Sequence, residues 1–162
     1  MDISTDEAGE LLATHREKVP FVKGLADLAS KQAEKTGQIR TILGRRCRFH
    51  LWEPRTFGYK KPLPYEDAMK EYGQPLKRAF TYKALNKLIQ GSAADQTKKA
   101  MADCYSEGLL PMLTVHDELC FSVEGDDQAR NIKHIMENGL SDVLKVPSKV
   151  DDELKDNWGE IE

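Results

Sequence analysis

Between residues 76 and 107 apolar side chains recur at helical spacing, at Phe80, Ala84, Leu85, Leu88, Ile89, Ala93, Ala100, Met101 and Cys104, and two β-prone runs follow directly behind Gly108. That order constrains the fold most. A long helix delivered into residues 109–115 and 119–123, with only His116, Asp117 and Glu118 between those runs, reads as a helix packed beside a β-hairpin. The predicted fold class is α+β, with helices packed on a small antiparallel sheet. About 30 residues exceed a typical helix, and the small-residue patch Gly91-Ser92-Ala93-Ala94 predicts a kink or the close approach of another backbone.

The rest of the chain fits this class. Ser4 or Thr5 caps a predicted helix with Asp6 and Glu7 in its first turn and an apolar face at Ala8, Leu11, Leu12 and His15. Pro20 suits the first turn of a second helix, whose Phe21, Leu25, Leu28, Ala29 and Ala33 are expected to pack in the core before Gly37 ends it. Residues 38–43 read as a short strand, with Gly44, Arg45 and Arg46 as a turn. Residues 53–64, rich in Pro, Gly and Lys, are expected to form an exposed loop. A short helix over 65–72 stops at Gly73-Gln74-Pro75; a last helix over 128–144 leads to a strand near 148–150 and an acidic tail. With 162 residues, 40% hydrophobic and 31% charged, one compact unit is predicted, with a small core. The longest apolar runs fall well short of the roughly 20 residues of a membrane span. Cys47, Cys104 and Cys120 suit reduced thiols better than a disulfide framework or a zinc site, and a cytoplasmic protein is expected.

Three groups carry possible chemistry. A tight hairpin turn favours Asn-Gly or Asp-Gly because its two central residues need positive φ, so a turn built from His116 and Asp117 is costly. A carboxylate at such a tip is a hard oxygen ligand suited to Mg²⁺, although a solvated polar turn is the simpler alternative. Glu118 begins the return strand and points to the opposite face, so a two-metal site needs a bridging carboxylate from elsewhere. Arg40, Arg45, Arg46 and Arg48 fall within nine residues of an otherwise acidic chain of net charge −3, a composition suited to phosphates or to an ordinary solvated turn. Asn86 and Gln90, four apart, share a helix face from which two amides reach acceptors along a groove.

In these residues the sequence resembles the C-terminal part of family A DNA polymerases, the bacterial DNA polymerase I group and its phage relatives. The similarity rests on Ile39-Arg40-Thr41-Ile42-Leu43-Gly44-Arg45-Arg46, on Asn86-Lys87-Leu88-Ile89-Gln90-Gly91-Ser92-Ala93-Ala94-Asp95, and on Leu113-Thr114-Val115-His116-Asp117-Glu118-Leu119, with Val146-Pro147 through Asn157-Trp158-Gly159 resembling the family's last strand and tail. The resemblance implies end-of-fingers helices and strand over 1–50, a variable loop over 51–75 and a C-terminal palm segment over 76–162. It also implies Asp117 as a palm ligand of catalytic magnesium, Glu118 as the auxiliary carboxylate, and His116 as a support for the primer terminus. Asn86 and Gln90 would touch the minor-groove side of a primer-template, and Arg45 and Arg46 its phosphates. Tyr82 departs from the family, many members of which carry arginine there.

The family's other palm aspartate and its fingers helix, which holds the incoming triphosphate, do not occur in this sequence. The implied function is therefore a contribution to template-directed nucleotidyl transfer in DNA replication, with DNA and a deoxynucleotide as substrates and a separate N-terminal chain as partner, in a bacterium or an infected host cell. The alternative is a non-catalytic remnant that binds DNA or a replication partner.

Overall fold

A computed structural model describes residues 3–58 and 60–160; Met1, Asp2, Tyr59, Ile161 and Glu162 lie outside the described residues, as do the parts of the predicted loop and acidic tail that fall on them. The chain divides into two compact units, Met1–Gln90 and Gly91–Glu162, where composition leads to an expectation of one. The physical reason is the scarcity of apolar material, which collects in two small clusters instead of one core.

In the first unit, α1 (Thr5–Lys18) and α2 (Pro20–Thr36) follow the predicted boundaries. A capping box starts α1: the Glu7 backbone N–H donates to Ser4 Oγ at 3.2 Å and the Ser4 N–H donates to Glu7 Oε2 at 2.8 Å. The backbone hydrogen bond at Ser4, then the side-chain one, lowers the Glu7 carboxyl below its ordinary value. Because the folded value is depressed, the cap contributes fully above the ordinary glutamate value of 4.5 and is lost as pH falls through the lowered folded value. Acid titration followed by circular dichroism is expected to show helix loss in that window, and Ser4→Ala is expected to remove it.

The apolar faces of these helices depart from expectation. α1 buries no residue, leaving Leu11 and Leu12 exposed, and α2 buries only Ala29 and Ala33 while Phe21, Leu25 and Leu28 face outward. Only the small residues come close enough to pack, against Ile39, Phe49 and Ala84, with Cys47, Leu85 and Leu88 around them. Gly37 ends α2 at φ 72°, a left-handed conformation that suits glycine.

The predicted strand over 38–43 stops early. β1 (Gln38–Arg40) pairs antiparallel with β2 (Arg46–Arg48), and the turn runs from Thr41 to Arg45 with Gly44 at φ 84°. Buried Thr41 closes the turn: its N–H donates to the Arg45 carbonyl at 2.9 Å and its Oγ1 accepts from the Arg45 N–H at 3.0 Å.

The exposed loop expected over 53–64 is present but shorter, because the residues at its two ends pair as strands. β3 (Leu51–Pro54) is the centre of an antiparallel sheet with β4 (Leu63–Pro64) on one side and β5 (Leu76–Arg78) on the other, and α3 (Tyr65–Tyr72) packs against it. Trp52 is the anchor. It meets Tyr65 edge-on at 5.0 Å and carries the Arg78 guanidinium 4.4 Å above its ring. Arg78 also donates to the Glu34 carbonyl at 3.2 Å and to the Phe49 carbonyl at 3.0 Å, tying the sheet to α2 and to the end of β2.

The long helix begins later than its periodicity predicts, because residues 76–78 pair as β5 and Phe80 adopts φ 62°. After a 3₁₀ turn at Thr81–Lys83, α4 (Ala84–Ser106) runs unbroken through Gly91 to Ala94. A Schellman motif ends it: Gly108, at φ 76°, donates to the Tyr105 carbonyl, and the Leu109 N–H to that of Cys104.

In the second unit, Cys104, Leu109 and Ile132 form the cluster, with Phe121, Val123, Ile135 and Met136 packed against it. Burial first, and then the charge of Asp103, push the Cys104 thiol above its ordinary value and keep it protonated. The hairpin forms as predicted from β6 (Pro111–Val115) and β7 (Glu118–Phe121). α5 (Asp126–Asn138) is shorter than expected, and no strand forms at 148–150. Ser148 Oγ instead accepts from Gln96 Nε2 at 2.8 Å, and the Val150 N–H donates to Glu137 Oε1 at 3.2 Å. None of the described helices is long and apolar enough to cross a membrane.

Candidate functional site

The carboxylates of interest sit at the tip of the β6–β7 hairpin. Val115 pairs with Glu118, leaving His116 and Asp117 as a two-residue turn. His116 takes φ 52° and Asp117 does not share the positive φ, so one central residue bears the unusual conformation rather than both. His116, Asp117 and Glu118 are all exposed. Asp117 makes no hydrogen bond or ion pair to another described residue and presents its carboxylate to solvent. Among the described residues no three His, Cys, Asp or Glu side chains converge to hold a metal ion. Asp117 fits the role of a single oxygen ligand, but this chain's described residues do not close an ion site.

The basic group lies in the first unit. Arg40 pairs directly across from Arg46, and Gln38 across from Arg48, so these four share one face of the hairpin while Ile39 and Cys47 point the other way. Three arginines thus stand exposed on one face, with two directly opposite each other, an arrangement that disfavours the empty hairpin and favours an anion beside it. Arg40 Nη1 turns back to the Gly44 carbonyl at 3.1 Å. Arg45 is exposed beside the turn. The Arg46-Cys47-Arg48 alternation was the available signal for placing Arg46 and Arg48 on one face, since period two puts alternate side chains on the same side.

Asn86 and Gln90 occupy the first turns of α4 and are exposed on one face, because Ala84, Leu85 and Leu88 turn into the core. The Lys87 ammonium lies 5.1 Å over the Phe49 ring, and Leu88 lines the same groove as Arg40 of β1 and Leu28 of α2. The first unit therefore presents the two amides and the arginine face together on one small body, and the second unit presents the carboxylates.

A sequence model of DNA polymerase family A matches residues 1–160. The chain belongs to DNA polymerase family A. Within this family, it is 41% identical over 153 residues to a DNA-directed DNA polymerase of Pseudomonas phage M6, covering 94% of this chain and 20% of the phage protein. DNA polymerase I of Rhizobium leguminosarum is 30% identical over 174 residues, which are 99% of this chain and 15% of that one. Among solved structures, the POL domain of Pol1 from M. smegmatis, in complex with DNA primer-template and dNTP, matches with a TM-score of 0.60 and 29% identity over 90% of this chain and 24% of that chain. The α+β fold of this family A chain thus corresponds to a portion of a polymerase domain. It spans a fifth or less of the length of these two curated relatives.

Proposed function

We propose that this chain supplies part of the catalytic and DNA-holding surface of a family A DNA polymerase, and that a complementing polypeptide supplies the remainder. The observation that carries the reading is the hairpin: a two-residue turn that places the exposed Asp117 carboxylate at its tip, within a family A match covering nearly the whole chain. Asp117 and Glu118 would provide magnesium ligands, and His116 would support the primer terminus. Magnesium, when bound, supplies electrostatic stabilisation to the transferring phosphoryl group. In the reaction the primer 3′-hydroxyl attacks the α-phosphate of a deoxynucleotide, forming the new phosphodiester bond as pyrophosphate leaves. Arg45 and Arg46 hold backbone phosphates, and Asn86 and Gln90 meet minor-groove acceptors present in every base pair, so they monitor pair geometry without reading sequence. Residues 1–50 act as a fingers-like segment and 76–162 as a palm-like one, in a cytoplasmic setting.

The need for a complement is supported by the lack of a converging third carboxylate among the described residues and by the uncovered apolar side chains of α1 and α2. The test is primer extension with Mg²⁺, run with this chain alone, with a chain carrying the segments of a family A polymerase that it lacks, and with both. Extension is expected only from the mixture. Extension by this chain alone would overturn the claim of incompleteness, and no extension from a folded, associated mixture would favour a non-catalytic DNA-binding role.

A further inference from the structure

The connection from β3 to β4 is held at both ends and raises an aromatic side chain into solvent between them. On the outgoing side, the Arg55 N–H donates to the Pro75 carbonyl at 3.1 Å and its guanidinium meets Glu34 Oε1 at 3.2 Å. On the return side, the Tyr72 hydroxyl donates to the Lys61 carbonyl at 3.0 Å. Beneath the loop, the stack of Tyr65, Trp52 and Arg78 fixes β3 to the body of the first unit. At the tip, Gly58 turns the chain at φ 95°, Phe57 exposes its entire side chain, and Thr56, Lys60 and Lys61 are exposed beside it. Residues 55–61 carry three cations and no carboxylate in a chain whose net charge is −3.

We propose that this loop is a contact for single-stranded nucleic acid, with Phe57 stacking on an unpaired base and Lys60 and Lys61 holding the flanking phosphates. An aromatic face among cations is the composition of sequence-tolerant single-strand sites, in which stacking supplies affinity and the backbone supplies salt dependence. Duplex is the poorer occupant because its base faces are already stacked. The inference rests on the polymerase reading, which provides the ligand: the unpaired template beyond a primer terminus. Phe57 belongs to neither core cluster, so replacing it leaves the fold intact.

The test is fluorescence anisotropy with the full 162-residue chain against a labelled single-stranded oligonucleotide, a blunt duplex and a primer-template, with phosphatidylserine vesicles as a fourth probe. Phe57→Ala is expected to weaken single-strand binding about 10-fold, with Phe57→Trp retaining it and duplex affinity changing less than about twofold. Lys60→Glu with Lys61→Glu is expected to weaken binding and to reduce the log–log salt slope by about 1.4, the value for two single-strand phosphates. If the wild-type chain binds primer-template and Phe57→Ala binds single strands equally well, the loop assignment is overturned and the polymerase reading stands. If the wild-type chain binds none of the nucleic acids, both fail. Loss of vesicle binding on Phe57→Ala with unchanged DNA binding would make the loop a membrane contact and also overturn the assignment.

Discussion

In the mixed primer-extension assay, Asp117→Ala is expected to lower the rate about 1,000-fold or more, a barrier increase of about 4 kcal/mol at about 1.36 kcal/mol per factor of ten. The reason is geometric. A metal ligand acts where charge develops in the transition state, so its loss falls on the chemical step and leaves substrate binding largely unchanged. Because Asp117 is exposed and makes no hydrogen bond or ion pair with described residues, its removal should change the stability of the chain by no more than about 0.5 kcal/mol. Melting temperature and primer-template affinity are therefore the controls, and both are expected to hold. Glu118→Ala should cost less, since Glu118 is the first residue of β7, past the turn, and is proposed only as the auxiliary carboxylate. An unchanged extension rate in Asp117→Ala would place the metal site elsewhere, and an intact biological role despite lost extension would favour the non-catalytic remnant.

A second large effect is expected at a residue outside the site. Arg78→Ala should destabilise the first unit by about 3 kcal/mol, read from denaturant melts, because one guanidinium makes two hydrogen bonds to backbone carbonyls and covers an indole ring. Losing it leaves the carbonyls of Glu34 and Phe49 without that donor and removes the clasp between the β4-β3-β5 sheet and α2. Arg78→Lys keeps the charge but cannot reproduce the fork, so it should rescue less than half of the loss. The same socket can be disturbed from its other wall. A Cβ built on Gly37 would lie 2.8 Å from the Arg78 Cζ, and alanine there would also sit at φ 72°, so Gly37→Ala should displace the guanidinium and reproduce part of the effect.

Much of the helical framework was legible in the sequence, since its signals are local. The cap at Ser4 or Thr5, Pro20, Gly37, Gly73 and Gly108 mark boundaries through hydrogen bonds and φ preferences within a few residues; the last four act as read, and the cap resolves to Ser4. The sheet around Trp52 was hidden for the opposite reason. β4 has two residues, β5 has three, and their partners lie 11 or more positions away, across a Pro- and Lys-rich stretch that carries no period. The apolar stripes of α1 and α2 misled because periodicity shows that a face is apolar, not that something covers it. For the site, the turn position of Asp117 and the shared face of Asn86 and Gln90 followed from spacing alone. The direct pairing of Arg40 with Arg46 did not, because it depends on a turn closed by the Thr41 hydroxyl.

The conformation of His116 limits how this hairpin can vary. A residue at φ 52° just ahead of Asp117 sets the direction in which the aspartate leaves the turn, so a substitution at 116 also acts on the placement of Asp117. Valine, isoleucine or threonine at 116 would be disfavoured before any chemistry is considered, since branching at Cβ opposes positive φ. Asparagine or glycine would keep the backbone and lose the imidazole. Libraries randomised at position 116 should therefore separate under two independent screens: one for folded protein, which admits Gly, Asn and Asp readily, and one for function, which reveals what the ring itself adds.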